Sequence, residues 1–525
     1  MPQPPLPPAG DRAARPAAAA ADTAAVDAGG VAASASASAS AVEPPRPLWL
    51  TETYPPSRGG MAQSCDRIVH ALRTLGISVD VVHLDRRQAP AAPAVAGAED
   101  ASQAVRADQA FPATSLAVRG EQAPLAARAD EAPSVARAEC ASTAALVAAG
   151  RLTDPAVVQA TYAAGLATQA ATSRPPAAPM IVRRRRGRDI RWPVEADPAH
   201  ALRSLWSRLE NDPERHGITH VVAFGGQLPL LAGPVFAAWL GVPLVTLLRG
   251  NDLDAGIFHP QRAGAVYRAL ERSARVCAVS RDKAEQAAAL VPGAPRPAVI
   301  PTGIDLARWA PLAGDLERAA AWRRTVPPGL RVLGFFGQIK RKKGAIFLLD
   351  ALRRGGLAGR FHVRFAGQLD DEVTSWLAEH GGALAHGVEP FDDRYRLLER
   401  YPACDLVVLP SLYDGTPNVL AEAAALGVPF LAARTGGMAD LLIEGVHGFL
   451  FAPGSDDEIA AALGRAAAAS DDHLRRMGDA CRDLARARLD HLQEAAAYLE
   501  VLRETQRASG THGSPEQRGE ARSGG

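Results

Sequence analysis

Short apolar segments alternate with amphipathic ones along most of this chain, and that alternation restricts its fold more than any other feature. Around residues 47–84, the apolar stretch "PLWLT" leads into a Gly-Gly turn, an amphipathic segment and then a β-branched stretch from Val79 to Leu84. This order predicts parallel strands, because a parallel connection needs a crossover that is usually a helix. We therefore expect an α/β fold with helices on both faces of a sheet.

The same alternation starts again near Arg331, after a first series that closes at "PAVIPTGID". In the second half, "RVLGFFGQ", "FHVRFAGQ", "CDLVVLPS", "VPFLAAR" and "GFLF" are strand candidates separated by helical segments. Two series of this size predict two Rossmann-like, doubly wound domains. We assign residues 47–303 to the first domain and 304–475 to the second. Residues 476–505, the end of one long helix from about Asp471 to Thr505, are expected to pack back on the first domain.

Three segments lack this pattern. Residues 1–46 are rich in Ala, Pro and Ser and include "ASASASAS", residues 88–180 are dominated by Ala, and residues 506–525 are rich in Gly and Ser. Such segments carry too few large apolar side chains to offset the entropy that ordering costs. We predict a disordered N-terminal tail, a low-complexity insertion with some helical parts, and a flexible C-terminal tail.

Composition and charge narrow the function classes. The 525 residues carry 58 Lys and Arg against 57 Asp and Glu, so no strong field favours nucleic acid. The five cysteines are far apart and lack CxxC spacing, which argues against a disulfide framework or a zinc site and favours a reducing cytoplasm. The N-terminus has early prolines and an acid, unlike a signal peptide, and no apolar stretch is long enough to span a membrane.

Ligands of open α/β sheets bind beyond the carboxyl ends of the strands, where several glycine-containing turns are expected here. After the first strand, Gly59 and Gly60 allow close backbone approach, and the following helix offers free amides to an anion. The alternative is an ordinary tight turn. The loop "GQIKRKKG", Gly337 to Gly344, holds four basic residues, and Lys343 suits a phosphate contact. The alternative there is a solvated basic turn.

A third loop, "SLYDGTPNVLAEAAALGVP", places Asp414 after a strand candidate and Glu422 eight residues later in a helical run. Thr416 is typical of a helix N-cap, Pro417 of the first helical position and Gly427 of a helix stop. Together they predict a helix whose free amides face the loop, with the second acid able to reach a sugar hydroxyl. The alternative is a surface acid pair. A fourth turn, "RTGGMADLL", also precedes a helix.

These motifs resemble those of the retaining glycosyltransferases with the GT-B fold, specifically glycosyltransferase family 4. The resemblance covers about Leu48–Leu84 and Gly217–Leu502 and is most specific at "PSLYDGTPNVLAEAAALGVPFLAARTGGMADLLIEGVHGFLF", which looks like the family's E-x7-E region. It implies two Rossmann-like domains facing a central cleft. It also implies transfer of a sugar from a nucleoside-diphosphate-sugar to a hydroxyl of a glycan or lipid-linked acceptor, without a cofactor.

The resemblance implies roles for single residues as well. Asp414 occupies the acid close to the transferred sugar, Glu422 the acid that holds the ribose hydroxyls, and Lys343 the lysine that pairs with the diphosphate. The backbone at Gly387 and Val388 matches the segment that meets the base. We expect Asp414 and Lys343 to be catalytic and the donor to be bound by Glu422, Gln338, Gly337, Gly415, Thr416, Pro417, Asn418, Val419, Gly387 and Val388.

Three departures from the family pattern affect these roles. Gln338 stands where the family usually has a phosphate-binding Arg, and Asp414 is one methylene shorter than the commoner Glu. "LRGNDLD" stands where many relatives have a His after the strand. The candidates for the acceptor and phosphate loops of the first domain are Gly59, Gly60, Arg249, Asn251 and Asp252.

Retaining transfer requires stabilisation of the charge that grows on the leaving diphosphate, which a lysine and helix amides can supply. We therefore expect no obligate metal, although Asp252–Asp254 imitates the metal-binding D-x-D of another glycosyltransferase fold. The alternatives are a GT-B phosphorylase or synthase that uses a sugar phosphate, and a catalytically silent nucleotide-binding scaffold. The basic run Arg183–Trp192 either forms a solvated edge or holds this cytoplasmic protein at the anionic inner face of a membrane.

Overall fold

The computed structural model of this chain describes residues 43–57, 59–86, 178–194, 197–390 and 394–510. The predicted N-terminal tail up to residue 42, the insertion up to residue 177 and the C-terminal tail from residue 511 lie outside the described residues. Within those ranges, no helix combines the length and the apolar character that crossing a membrane requires. Four cysteines, Cys65, Cys277, Cys404 and Cys481, are described, and all four are buried and unpaired.

An eight-stranded sheet forms the centre of the first domain. Its strands are β1 (Pro47–Thr51), β2 (Asp80–Arg86), β3 (Met180–Arg184), β4 (Gly187–Val194), β5 (His220–Phe224), β6 (Leu244–Leu248), β7 (Arg275–Ala278) and β8 (Ala298–Val299). Their order in space is β3-β4-β2-β1-β5-β6-β7-β8, and only the β3–β4 pair is antiparallel among these strands. The central strands β1 and β5 are buried along their whole length, as expected of parallel strands covered on both faces.

A six-stranded, wholly parallel sheet forms the centre of the second domain. Its strands are β9 (Arg331–Ile339), β10 (Phe361–Leu369), β11 (Ala385–Glu389), β12 (Leu406–Leu409), β13 (Phe430–Ala433) and β14 (Gly448–Phe451). Their order in space is β11-β10-β9-β12-β13-β14. The prediction of two doubly wound α/β domains is confirmed, because each sheet is parallel at its centre and helices join its successive parallel strands wherever the structure describes the connection.

Fourteen α-helices connect and cover these strands in the described part of the chain. They are α1 (Gly60–Thr74), α2 (Pro198–Glu210), α3 (Gln227–Leu240), α4 (Ala263–Arg272), α5 (Arg281–Leu290), α6 (Ala313–Arg323), α7 (Ala345–Arg354), α8 (Asp371–His380), α9 (Arg394–Arg400), α10 (Asn418–Leu426), α11 (Gly436–Leu441), α12 (Asp456–Ala468), α13 (Asp471–Arg488) and α14 (His491–Gly510).

The hairpin of β3 and β4 extends the first sheet where the sequence alone predicts no strand. Alternate residues of β4 are buried, and Ile190, Trp192 and Val194 join the core of the first domain. The indole Nε1 of Trp192 donates a hydrogen bond to the carbonyl oxygen of Ala201 at 3.0 Å. The interpretation of the whole run from Arg183 to Trp192 as a solvated edge is therefore wrong, because half of β4 faces the core.

The single long helix predicted near the C-terminus is two helices, α13 and α14. The chain breaks between them because Ile304, in the crossing between the domains, bonds to both sides of the break. Its amide donates to the carbonyl oxygen of Leu489 at 2.6 Å, and its carbonyl oxygen accepts from the amide of His491 at 3.1 Å. Helix α14 also continues to Gly510, beyond residue 506, where a flexible tail was expected.

The two C-terminal helices belong to different cores. Cys481 and Leu484 of α13 pack with the apolar residues of α10 in the second domain. Tyr498 and Leu502 of α14 pack in the cluster that contains Trp49 of the first domain, and the rings of Trp49 and Tyr498 lie 6.5 Å apart, edge to face. The chain therefore crosses between the domains twice, with the two crossings side by side.

Candidate active site

Loops from the carboxyl ends of both sheets pack against one another, backbone to backbone. A Cβ atom added to Gly415, after β12, would lie 2.6 Å from a Val279 methyl carbon and 3.0 Å from the carbonyl oxygen of Arg249. A Cβ atom added to Gly250, after β6, would lie 3.1 Å from the amide nitrogen of Gly415. Only glycine allows such approach, so the loop that carries Asp414 is fixed directly against the first domain.

The predicted turn before α11 supports this loop from the second domain. Gly436 has a φ of 51°, and a Cβ atom there would lie 2.1 Å from the carbonyl oxygen of Asp414. The amide of Gly437 donates a hydrogen bond to the carbonyl oxygen of Gly415 at 2.8 Å. The Gly-Gly turn is therefore a backbone support for the loop of Asp414.

The two residues predicted to be catalytic are in direct contact. Lys343 belongs to a short 3-10 turn that precedes α7, and its ammonium group donates to the Oδ2 atom of Asp414. The other oxygen, Oδ1, accepts from the amide of Gly415 at 3.0 Å. The side chains are 29% and 16% exposed, so this ion pair keeps access to the space between the domains. It places one cation and one carboxylate at the junction of the two domains.

The neighbouring Lys342 reaches across to the first domain, a contact that the sequence does not predict. Its ammonium group donates to the Oδ1 atom of Asn251 and lies 4.4 Å from the centre of the Tyr413 ring. Burial lowers the pKa of this lysine. Asn251, a candidate for the acceptor loop of the first domain, therefore bonds to the lysine-rich loop Gly337–Gly344 of the second domain.

Helix α10 begins one residue later than expected. Pro417 has extended backbone angles, with φ −69° and ψ 141°, and the first helical residue is Asn418. Thr416 is not the N-cap, because its hydroxyl donates instead to the carbonyl oxygen of Val279 at 2.5 Å. The carbonyl oxygen of Thr416 accepts from the hydroxyl of Thr302 at 3.0 Å. A contact between domains thus replaces the local cap, whereas the predicted stop at Gly427, with φ 70°, is present.

The first turns of α1 and α10 meet through the side chain of Asn418. Its Nδ2 atom donates to the carbonyl oxygen of Gly60 at 3.0 Å, and its Oδ1 atom accepts from the hydroxyl of Ser64 at 3.1 Å. Gly59, with φ 115°, precedes α1. The amino-terminal ends of two helices, including the amide of Val419, therefore lie near each other, an arrangement that favours an anion.

The second acid, Glu422, is buried between the domains. It is 8% exposed, and its Oε2 atom accepts a hydrogen bond from the hydroxyl of Tyr401 at 2.6 Å. Burial raises the pKa of Glu422 to about 7, against a lowering effect of that hydrogen bond. Together with Arg67 and Asn418 it lines a cavity of about 200 Å³ that opens between α1 and α10. The sequence does not indicate Tyr401, which lies after α9.

The first-domain residues Arg249 and Asp252 mainly organise their own loop. Both oxygens of Asp252 accept from backbone amides, from Gly226 at 3.0 Å and from Arg249 at 2.9 Å. Burial raises the pKa of Asp252. The guanidinium of Arg249 donates to the hydroxyl of Thr302 at 3.2 Å. Asp254, the other acid of the D-x-D string, pairs with the buried Lys283. Among the described residues, no three His, Cys, Asp or Glu side chains converge as metal ligands.

The remaining predicted donor residues lie in β9 and β11 of the second sheet. Gln338, near the carboxyl end of β9, is exposed and accepts from the ammonium group of Lys340 at 3.0 Å. Gly337 before it has φ 97°. Gly387 and Val388 lie in the edge strand β11, and Val388 is 54% exposed.

Comparison with known proteins supplies independent evidence. Residues 156–308 match the family described as glycosyltransferase family 4, and residues 330–468 match the family described as glycosyl transferases group 1. A D-inositol 3-phosphate glycosyltransferase of Actinosynnema mirum is 30% identical over 287 residues, which are 50% of this chain and 67% of that protein. Its counterpart in Nocardiopsis dassonvillei is 29% identical over 50% of this chain and 64% of its own length, which is less than two thirds.

Alignments of this chain with similar solved structures cover almost the full length of those structures. Anabaena HepE in complex with UDP and glucose has a TM-score of 0.56 at 17% identity, covering 87% of this chain and 99% of HepE. Sucrose-phosphate synthase of Thermosynechococcus elongatus has a TM-score of 0.59 at 16% identity, covering 88% of this chain and 100% of that one. At such identities the likeness shows the fold.

Proposed function

Since this chain belongs to glycosyltransferase family 4, we propose that it transfers a sugar from a nucleoside-diphosphate-sugar to a hydroxyl of a glycan or lipid-linked acceptor, with retention of configuration, in the cytoplasm. The observation that carries the proposal is the ion pair of Lys343 and Asp414 at the junction of the domains. It lies on the loop that Gly250 and Gly415 fix against the first domain. A nucleotide-sugar donor is supported further by HepE, whose solved complexes contain UDP and glucose.

The diphosphate of the donor is assigned to the start of α10. The free amides at Asn418 and Val419, the facing amino-terminal end of α1 at Gly60, and the ammonium group of Lys343 together supply the donors and positive charge that a diphosphate needs. Lys343 then exchanges its bond with Asp414 for one with the phosphate. Such preorganised charge stabilises the transition state more than the bound substrate, because negative charge grows on the leaving group as the bond to C1 breaks.

The ribose is assigned to Glu422. Its Oε2 atom is held by Tyr401, which leaves Oε1 to accept from a ribose hydroxyl. In the reaction that we propose, the bond between C1 and the phosphate oxygen breaks, and the acceptor oxygen forms a bond to C1 from the same face. The proton of the acceptor hydroxyl passes to the leaving phosphate oxygen. Asp414 lies close to the transferred sugar, and the chain's own cations neutralise the leaving group without a metal.

The proposal is tested by nucleoside diphosphate release from UDP-, GDP- and ADP-sugars, with and without EDTA, and with candidate acceptors. We expect release from one donor, insensitive to EDTA, and lost in Lys343→Ala and Asp414→Asn. Matched controls are Arg354→Ala, which removes an exposed cation at the end of α7, and Asp371→Asn, which changes an exposed acid at the start of α8. Tight nucleotide binding without release would favour the silent scaffold, and release that requires a sugar phosphate would favour the phosphorylase or synthase.

A further inference from the structure

A second cavity, of about 730 Å³, lies beside α1 and the turn between β3 and β4. Neither Lys343, Asp414 nor Glu422 lines it. Its volume falls within the roughly 300–1,000 Å³ that small-molecule sites occupy. The cavity belongs to the first domain and adjoins the cavity of Glu422, with which it shares Asp66 and His70, but no residue assigned to the transfer reaction lines it.

The lining of this cavity is positively charged. Four arginines, Arg73 and the three residues 184–186, face two carboxylates, Asp66 and Asp189, which leaves an excess of two positive charges. Asp189 binds two of the arginines, with its Oδ1 atom 2.7 Å from Arg73 and its Oδ2 atom 2.6 Å from Arg184. Because a guanidinium has five N–H donors, one shared carboxylate fixes both groups and leaves most of the Arg184 donors free.

The arginine turn is held in place by the backbone. Gly187 has φ 96°, and a Cβ atom there would lie 2.1 Å from the carbonyl oxygen of Val79. Arg186 donates from its side chain to the carbonyl oxygen of Gly76, at the end of α1. The turn is therefore a fixed wall of the cavity and not a free basic loop.

Two donors of the lining lack a partner in the described part of the chain. Arg185 makes no hydrogen bond or ion pair with any described residue. The hydroxyl of Tyr54, a residue only 7% exposed, also donates no hydrogen bond to a described residue. Burial and the nearby Asp189 raise the pKa of Tyr54, so this hydroxyl stays protonated as a donor. Arg185 is exposed and the Tyr54 hydroxyl lines the cavity, so both donors are open to a ligand there.

We propose that this cavity is a binding site for a phosphate group carried by a small molecule, recognised by Arg184, Arg185 and the Tyr54 hydroxyl. Guanidinium groups bind phosphate through paired N–H donors, and the excess positive charge favours an anionic phosphate over a neutral sugar. The phosphate belongs either to a soluble sugar phosphate or to the head group of a lipid. This inference is independent of the transfer reaction proposed for the cleft.

Calorimetric titration of the full chain with glucose 6-phosphate, inorganic phosphate and glucose tests the site. Vesicles of phosphatidylglycerol, with phosphatidylcholine as reference, form the lipid arm. The matched pair is Arg185→Ala and Arg183→Ala, because Arg183 belongs to the same run but is 81% exposed, bonds to Glu214 and does not line the cavity. We expect Arg185→Ala to weaken phosphate binding about tenfold or more, Tyr54→Phe to weaken it several-fold, and Arg183→Ala to leave it unchanged.

The outcomes distinguish a soluble phosphate ligand from a lipid head group. They also distinguish failure of this proposal from failure of the proposed transfer reaction. Binding of the sugar phosphate identifies a soluble ligand, and binding of phosphatidylglycerol vesicles alone identifies a lipid, provided that Arg185→Ala weakens it and Arg183→Ala does not. Equal loss in both variants would show diffuse surface attraction and overturn the site, as would no binding to any phosphate probe. Nucleoside diphosphate release, measured on the same preparations, should be unchanged in Arg185→Ala, so that failure of one proposal is not mistaken for failure of the other.

Discussion

Tyr401 and Glu422 form a buried hydrogen bond of 2.6 Å, from the phenol hydroxyl to the Oε2 atom of the acid, at the wall of the cavity between the domains. The bond ties the segment after α9 to the middle of α10. It also opposes the effect of burial, which raises the pKa of Glu422 to about 7. The charge of an acid expected to hold the ribose therefore changes near neutral pH.

We predict that Tyr401→Phe shifts the pH dependence of nucleotide binding upward. The variant loses the bond that lowers the pKa of Glu422, so this acid stays protonated to a higher pH. The ionised acid is the better acceptor for ribose hydroxyls. The affinity for the nucleotide should therefore begin to rise at a higher pH in the variant than in the wild type. Titration of the protein with UDP or the cognate nucleotide, at several pH values between about 5.5 and about 8.5, measures this shift in affinity. Tyr267→Phe, an exposed tyrosine on α4, is the control. An unchanged profile would contradict the prediction.

We also predict that Glu422→Gln changes how stability depends on pH. The pKa of Glu422 is raised on folding from 4.5 to about 7, so this group favours the folded state fully below pH 4.5 and loses that effect as the pH rises to about 7. The variant removes this dependence, while its amide oxygen still accepts from Tyr401. The wild-type free energy of unfolding, minus that of the variant, should therefore fall by on the order of 3 kcal/mol across the window.

Denaturant unfolding at several pH values measures this difference. Glu317→Gln, an exposed acid of α6, should show a flat difference over the same window. A flat difference for Glu422→Gln as well would mean that folding does not raise the pKa of this acid.

We predict that Asn251→Ala weakens binding of the donor and leaves the rate of the chemical step almost unchanged. The variant removes the acceptor of Lys342 and with it a bond between the basic loop and the first domain. The apparent KM for the donor should rise about three- to tenfold with little change in kcat, because Lys343 and Asp414 stay in place. Steady-state kinetics with Asn211→Ala, at the exposed end of α2, as the control provide the measurement. A fall in kcat alone would show that Asn251 acts in the transition state.

The sequence alone predicted those candidate-site features that arise within a single stretch of chain. The glycine turns, Lys343, Asp414 and Glu422 all lie in loops and helices whose spacing is readable along the chain. The contacts between segments were not predictable. The bonds from Asn418 to Gly60, from Lys342 to Asn251 and from Tyr401 to Glu422 join residues 21 to 358 positions apart.

Tertiary contacts also explain the wrong predictions. Thr416 has the local preference of an N-cap, but the carbonyl oxygen of Val279 competes for its hydroxyl. The helical pattern continues through Leu489, but Ile304 takes up the backbone groups there and divides the helix. The strands β3 and β4 follow a long Ala-rich segment, and four consecutive arginines hide the alternation of buried residues that begins after them.

The last prediction concerns Gly436, the glycine that supports the loop of Asp414. Gly436→Ala should destabilise the protein by several kcal/mol and abolish nucleoside diphosphate release, because φ is 51° there and the new Cβ atom would lie 2.1 Å from the carbonyl oxygen of Asp414. Gly464→Ala is the matched control. That glycine lies within α12, and apart from its chain neighbours and the backbone of its own helix no atom lies within 4 Å of its added Cβ. Alanine should therefore stabilise the protein by about 0.5–1 kcal/mol and leave activity unchanged. Denaturant unfolding and product release measured on both variants decide the matter. An active, stable Gly436→Ala protein would show that the loop of Asp414 can move away from the turn without loss of function.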